Sequence, residues 1–379
     1  MPRTAADPLL LTPGPVSVSR STRAVMMVDR ASGGVEVQAD ISHARRYLAG
    51  LAGDATTYTA IPLPGSATYA NEAVIASLIP TGGKLLIHSN GIYGDRLVEI
   101  AEHLGIPFAV TRTPPLVPVS VSAIAQALHD DPGITHVMIV HCETSTGILN
   151  PLEDVAALCR AQGRGLLVDA VASFGAVPVE AQRLGILAVT VSSNKCMEGV
   201  PGIGWAIVQK QALESSKGQG RSLVLDLWDH NQHMDRTGLF RFTPPTHVLA
   251  AFAQACREHE AEGGVTARGA RYRRNWQRLI DGMRQMGFTA VVPDDHASPI
   301  VATFREPEHP AFSFQALFEG MKRRGFIIFP GRLAMAGTFR IGCMGAVTEE
   351  DVGEAMQALS DSMAEMGIAG LGRAAESAA

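Results

Sequence analysis

Cysteine, charge and long apolar runs are all in short supply in this 379-residue chain, and each shortage removes a class of function. The five cysteines, Cys142, Cys159, Cys196, Cys256 and Cys343, are odd in number and widely spaced, with no CxxC pair. Neither a disulfide framework nor a zinc knuckle follows from such spacing. Charged residues make up 18% of the chain and the net charge is -5, so the basic surface of a nucleic-acid binder is missing. No run of about 18 apolar residues occurs, which removes a membrane-spanning helix. Near the start, Leu9-Leu10-Leu11 is ended by Thr12-Pro13-Gly14-Pro15, too short for the apolar centre of a signal peptide. The 12 histidines show no HExxH or comparable spacing, so no metal site is expected. Neither Gly91 to Gly94 nor Gly199 to Gly204 supplies G-x-G-x-x-G between a first strand and helix, and a nicotinamide-binding reading fails. What is left as the expectation is a soluble protein of the reducing cytoplasm, with neither nucleic acid nor membrane as a partner.

What the chain does have is apolar residues, 46% of the total, enough for substantial cores. Its length exceeds one ordinary domain, so two are expected: a large one over 1–255, with an N-terminal segment bordering the active site, and a small one over 256–379. Between about 60 and 210, short apolar runs alternate with helical spacing. Leu85-Leu86-Ile87, His136 to Val140, Leu166-Leu167-Val168 and Val189-Thr190-Val191 read as strands, while Leu97, Ile100, Ala101 and Leu104 fall on one helical face. The fold class is therefore α/β with a mostly parallel sheet, in which ligands bind at the carboxyl ends of the strands. After about 256, a basic amphipathic segment (Arg268 to Met286), strand candidates at Pro299 to Phe304, Phe326 to Phe329 and Thr338 to Ile341, and helices around Phe314 to Arg324 and Glu349 to Met366 suit a small α+β domain.

The strongest constellation lies at strand ends. Leu166-Leu167-Val168-Asp169 ends on a carboxylate, and Val191-Ser192-Ser193-Asn194-Lys195 ends on a lysine followed by a glycine-rich turn, Gly199 to Gly204. A lysine in that setting should have a depressed pKa, as a Schiff-base amine requires, and the carboxylate would pair with a protonated pyridine nitrogen. A salt bridge between Asp169 and Lys195 is the plainer alternative. Gly65-Ser66-Ala67-Thr68 opens a helix, whose N–H groups with the Ser66 and Thr68 hydroxyls suit a phosphate; an ordinary N-cap is the alternative. Ser192 and Thr243 could add hydroxyls to the same phosphate. Tyr93 follows a strand and either stacks on a cofactor ring or fills core space. Thr144, in Glu143-Thr144-Ser145-Thr146-Gly147, could bond a ring oxygen. Arg340, in the apolar run Phe339-Arg340-Ile341, needs an anion, either a substrate carboxylate or phosphonate or an internal Asp or Glu.

With these residues assembled, the chain resembles the class V aminotransferases of PLP fold type I from Leu9 to about residue 365. The likeness is carried by Leu9 to Pro15, Ser89 to Gly94, His141 to Gly147, Ser192-Ser193-Asn194-Lys195-Cys196, Gly199-Val200-Pro201-Gly202, Arg221-Ser222-Leu223 and Arg241 to His247. The resemblance implies pyridoxal 5'-phosphate as cofactor, with Lys195 its Schiff-base lysine and Asp169 its pyridine partner. It also implies a homodimer in which Thr243 reaches the phosphate of the neighbouring subunit's cofactor, and Arg340 as the holder of the substrate anion. The reaction implied is amino transfer from 2-aminoethylphosphonate to pyruvate. Amine donors and keto acids of the alanine–glyoxylate or serine–pyruvate type, or a PLP-dependent lyase, are the alternatives. Two stretches depart from the pattern: Val28 to Gln38, where an acidic, tryptophan-containing segment is typical, and Ala67, where glycine is usual.

Overall fold

The structure, a computed structural model, describes residues 7–330, 336–368 and 371. Seven strands form the main sheet: β1 (Tyr58–Pro64), β2 (Lys84–Ser89), β3 (Phe108–Arg112), β4 (Ile134–Val140), β5 (Gly165–Asp169), β6 (Ile186–Ser192) and β7 (Ile203–Gln209). Their spatial order is β1-β7-β6-β5-β4-β2-β3. Strand β7 runs antiparallel to both neighbours, and every other pair is parallel.

The central strands are apolar at consecutive positions because both faces are covered, and the pleat divides their side chains between two cores. Leu86, Val137, Ile139, Val168 and Ile207 enter one core with α1 (Val35–Ala52). Leu85, Ile87, Met138, Leu167 and Ala206 enter the other with α2 (Ala67–Leu78) and α3 (Ile92–His103). The two strands that apolar patterning does not reveal are the edges. Strand β1 carries Pro62 and Pro64, which an edge position accommodates because a missing N–H there breaks no ladder bond on the open side. Strand β3 is only partly buried along its length.

In chain order, α4 (Leu152–Ala161) lies before β5, and α5 (Thr246–Glu262) and α6 (Gly264–Gln285) follow the sheet. A three-stranded antiparallel sheet comes next, with β8 (Val301–Arg305), β9 (Phe329–Pro330) and β10 (Thr338–Gly342) in the order β8-β10-β9. Helices α7 (Phe314–Arg323) and α8 (Glu349–Glu365) pack with it in a third core. The expected strand Phe326 to Phe329 is two short ones, because Phe326–Ile327 pairs instead with Leu9–Leu10. Leu9 and Leu11 thus belong to the third core. The expected division at 255/256 falls inside α5, a continuous helix whose buried face, through Cys256, belongs with the first core. Gly263, at a positive φ of 107°, separates α5 from α6, and Leu9 and Leu11 pack with the third core.

Candidate active site

Strand β6 ends at Ser192 and hands the chain to a tight loop. The Glu198 N–H donates to the Lys195 carbonyl at 2.8 Å and the Gly199 N–H to the Ser193 carbonyl at 2.8 Å. This loop turns Lys195 across the carboxyl edge of the sheet, where its Nζ donates to the Pro13 carbonyl. Gly14, at φ 111°, leaves room for it: a Cβ there would stand 2.3 Å from Nζ. Burial pushes the lysine pKa down to about 8. The charge of Arg340 lowers it further, and that of Asp169 acts in the opposite direction. Roughly a tenth of this amine is therefore neutral at pH 7, against well under a thousandth for a lysine in water.

Asp169 ends β5, directly beside Thr190 of β6 and Val140 of β4. Its Oδ1 accepts from the Val171 N–H at 2.9 Å and its Oδ2 from the Asn71 amide at 2.7 Å. Burial raises its pKa, and those two donors together with Arg96 and Lys195 pull it back. Its carboxylate contacts are hydrogen bonds, and Lys195 is engaged by a carbonyl, so the salt-bridge alternative is not what the geometry presents.

Helix α2 begins at Ala67 with Ser66 in the N-cap position, extended at φ -79° and ψ 167°, but the serine hydroxyl makes no capping bond. That hydroxyl and the helix's first N–H groups form a donor set suited to an anion. The loop is tied to the glycine turn after Lys195, because the Gly65 N–H donates to the Gly202 carbonyl at 2.8 Å. Gly204 has no side chain to hold the two apart: a Cβ there would stand 2.9 Å from the Ser66 carbonyl oxygen and 3.1 Å from Ala67 Cα. Thr68 is half-buried in the first turn. Ser192 is buried with its hydroxyl bonded to Asn194 Oδ1. Thr243 stands exposed between Phe242 and Pro244, and no hydrogen bond among the described residues ties it to Ser66 or Ser192.

Tyr93 lies in the first turn of α3, partly exposed, with the Arg96 guanidinium 5.2 Å from its ring centroid. It touches the second core at its edge and does not fill it. Thr144 is buried in the turn that joins Cys142–Glu143 to Ile148–Leu149. Its carbonyl receives the Arg340 Nη1–H at 2.6 Å, so Arg340 reaches out of its own sheet to the turn that follows β4. Arg340 is 2% exposed, its Nε has no partner, and its guanidinium lies 4.8 Å from the Phe329 ring centroid. Among the described residues no carboxylate pairs with it; burial lowers its pKa, and Tyr93 and Glu143 act at longer range to raise it. A buried guanidinium with a free N–H and no counter-ion is built to receive an anion.

Three participants escaped the sequence reading. Glu143, fully buried, accepts from the Tyr93 and Gly94 N–H groups at 3.2 and 3.4 Å and from Ser145, and burial pushes its pKa up to about 7. Its place at a strand end, one residue before Thr144, was the available signal. Asn71 sits amid apolar positions of α2, where nothing in the pattern singles out one amide. Glu198 lies in the lysine loop at φ 54°, a backbone conformation that side-chain-bearing residues rarely adopt.

The model of the family described as Aminotransferase class-V matches residues 20–354. The chain is 43% identical over 363 residues to the 2-aminoethylphosphonate–pyruvate transaminase of Rhizobium meliloti (strain 1021), covering 96% of this chain and 95% of that one. It is 44% identical over 363 residues to 2-aminoethylphosphonate–pyruvate transaminase 1 of Paraburkholderia xenovorans (strain LB400), covering 96% and 93%. Among solved structures, alanine–glyoxylate aminotransferase from Nostoc sp. superposes with a TM-score of 0.87 at 26% identity, covering 94% of this chain and 95% of that one.

Proposed function

The chain belongs to the class V aminotransferase family, and from that premise we propose that it moves the amino group of 2-aminoethylphosphonate to pyruvate, giving phosphonoacetaldehyde and L-alanine. The observation that carries the reading is the convergence at one sheet edge of a depressed-pKa lysine, a buried carboxylate and a buried arginine that no carboxylate of the described residues pairs with. The substrate pair rests on the similarity, over nearly the full length of both chains, to proteins bearing that name.

The residues fit pyridoxal 5'-phosphate. The uncommitted Ser66 hydroxyl, the first N–H groups of α2 and Thr68 would hold the phosphate, with Ala67 supplying backbone there. Ser192 would join them, and Thr243 would come from the neighbouring subunit of a homodimer. Asp169 would hold the proton on the ring nitrogen, Tyr93 would cover a ring face, and Thr144 would bond the ring oxygen. When bound, the cofactor supplies an electron sink next to the transferred nitrogen.

Lys195 would hold the cofactor through Nζ, the atom that the fold presents at the sheet edge. Its neutral Nζ then removes the proton from the substrate carbon bearing nitrogen, and in the second half-reaction returns one to the carbon that becomes Cα of alanine. A pKa near 8 suits both directions, since the same atom must give and take a proton near neutral pH. Arg340 grips the phosphonate of the donor and then the carboxylate of pyruvate, so one anion site serves both substrates in turn.

A homodimer is supported by the apolar side chains left in water near Thr243: Leu223 is 69% exposed, Val224 56% and Phe242 44%. The five cysteines are all buried and unpaired, which supports a reducing, cytoplasmic setting. Among the described residues no helix is long and apolar enough to cross a membrane.

The test is to incubate the purified protein with 2-aminoethylphosphonate and pyruvate and to follow alanine and aldehyde together. Equal amounts of both are expected. Cofactor-loaded protein that forms neither would end the phosphonate reading. Donor consumption without pyruvate would move the protein to a lyase.

A further inference from the structure

Asn71 is 5% exposed on a helix whose buried neighbours Ala70, Ala73 and Val74 are apolar. A primary amide in such a place is costly unless both its ends are bonded. Both are. Its Nδ2 donates to Asp169 Oδ2 at 2.7 Å, and its Oδ1 accepts from the Thr190 hydroxyl at 2.6 Å. Thr190 is fully buried on β6, in register with Asp169 on β5. One helix and two strands thus contribute one residue each to a chain running from Thr190 through Asn71 to Asp169.

The direction of that chain follows from donor and acceptor chemistry. An ionised carboxylate only accepts, so the amide must turn its NH2 toward Asp169. The amide oxygen then faces inward and needs a donor, which the Thr190 hydroxyl supplies. The other carboxylate oxygen is taken by the Val171 N–H at 2.9 Å. With both oxygens held by donors, the carboxylate is fixed in one orientation and its charged form is favoured.

We propose that Asn71, oriented by Thr190, is a positioning residue for amino transfer, holding Asp169 ionised and correctly turned toward the ring nitrogen of the cofactor. Asn71 acts through Asp169 alone, and the inference rests on the assignment of Asp169 above. The groups around Asp169 are consistent with this division of work. Lys195 and Arg96 favour its charge, Glu143 and Cys142 lie close enough to feel it, and His141, kept neutral by burial, donates its backbone N–H to the Asp169 carbonyl at 2.8 Å. None of these holds a carboxylate oxygen, so nothing replaces the Asn71 bond when it is removed.

The test uses Asn71→Leu combined with Thr190→Val, which exchanges the polar pair for an apolar one of similar size, and Thr190→Val alone as the milder variant. In the cofactor-loaded enzyme the double variant should lower kcat by roughly tenfold to a hundredfold, the worth of a hydrogen bond to a charged group, with both KM values within about twofold. The acid limb of its kcat profile should move to higher pH, because Asp169 must then lose its proton without the amide. Thr190→Val should shift both in the same direction by less. Infrared difference spectra of the apo-protein, with the Asp169→Asn variant to assign the band, read the protonation of Asp169 without activity. The protonated-carboxyl band should persist to higher pH in the variants. Superimposable kcat profiles, or an unmoved band in a folded Thr190→Val protein, would overturn the role of Asn71. An inactive wild type with an Asp169 band that does shift would instead overturn the catalytic reading and leave the Asn71 effect on Asp169 intact.

Discussion

At the scale of single residues, chemistry here is made by burial of groups that water would keep in the opposite state. Lys195 is the main case. Its amine would be almost fully protonated in water, and burial brings its pKa to about 8. Only the neutral amine attacks an aldehyde, so the rate at which apo-protein captures pyridoxal phosphate should climb with pH and level off above about 8. Stopped-flow absorbance checks this, and a rate that is flat from about pH 6 to 9 would contradict the depressed pKa. Arg340 makes the second prediction. If the proposed anion site is right, Arg340→Gln removes the charge that would serve both substrates, and kcat/KM should fall by about a hundredfold or more for 2-aminoethylphosphonate and pyruvate alike. A loss confined to one substrate would mean two anion sites. Both candidates could be picked out from the sequence, because a lysine after a β-branched run and an arginine inside an apolar strand conflict with their surroundings. Asn71 was not legible: its partners, Asp169 and Thr190, come from strands far along the chain, and only the folded sheet brings them together.

At the scale of elements, the central strands and the amphipathic helices were readable because each buries a fixed periodic face. The edges β1 and β3 were not, since an edge strand needs no continuous apolar run and tolerates proline. Also out of reach was the knot that joins α6 to the lysine loop. Arg268 Nη1 donates to the Cys196 carbonyl at 2.6 Å, and Arg271 and Tyr272 both bond Glu198 Oε1, at 2.7 and 2.6 Å. The Tyr272 hydroxyl also receives the Gly345 N–H at 2.9 Å, three residues after β10 ends. The strand that carries Arg340 and the loop that carries Lys195 are thus fastened to one helix. Glu262 also pairs with Arg268 and Arg271, at 2.5 and 2.8 Å, so both guanidinium groups keep a carboxylate when Glu198 loses its charge. Glu198→Gln should therefore cost less than the roughly 3 to 5 kcal/mol of an unpaired buried charge and lower the melting temperature by a few degrees in calorimetry; a Tm unchanged within about one degree would show that Glu198 contributes little.

At the scale of the molecule, an α/β sheet with ligands at its carboxyl edge could be inferred from alternating texture. The packing of Leu9 and Leu11 into the third core could not, because a strand of two residues carries no pattern of its own. That return of the N-terminus brings Pro13 and Gly14 to Lys195. The segment from Val28 to Gln38 is held by Arg30 to Asp40 at 2.8 Å and by Asp29 to His247 at 3.2 Å. It therefore lies beside the Thr243 stretch that the proposed homodimer would use. Light scattering should give twice the chain mass, and Phe242→Glu should yield monomers that have lost activity. A fully active monomer would remove Thr243 from the site. The most direct measurement of all is borohydride reduction of the cofactor-loaded protein followed by peptide mass mapping. The pyridoxyl mass should appear on Lys195 alone and vanish in Lys195→Ala; the same mass on any other lysine, or on none, would contradict the site built around it.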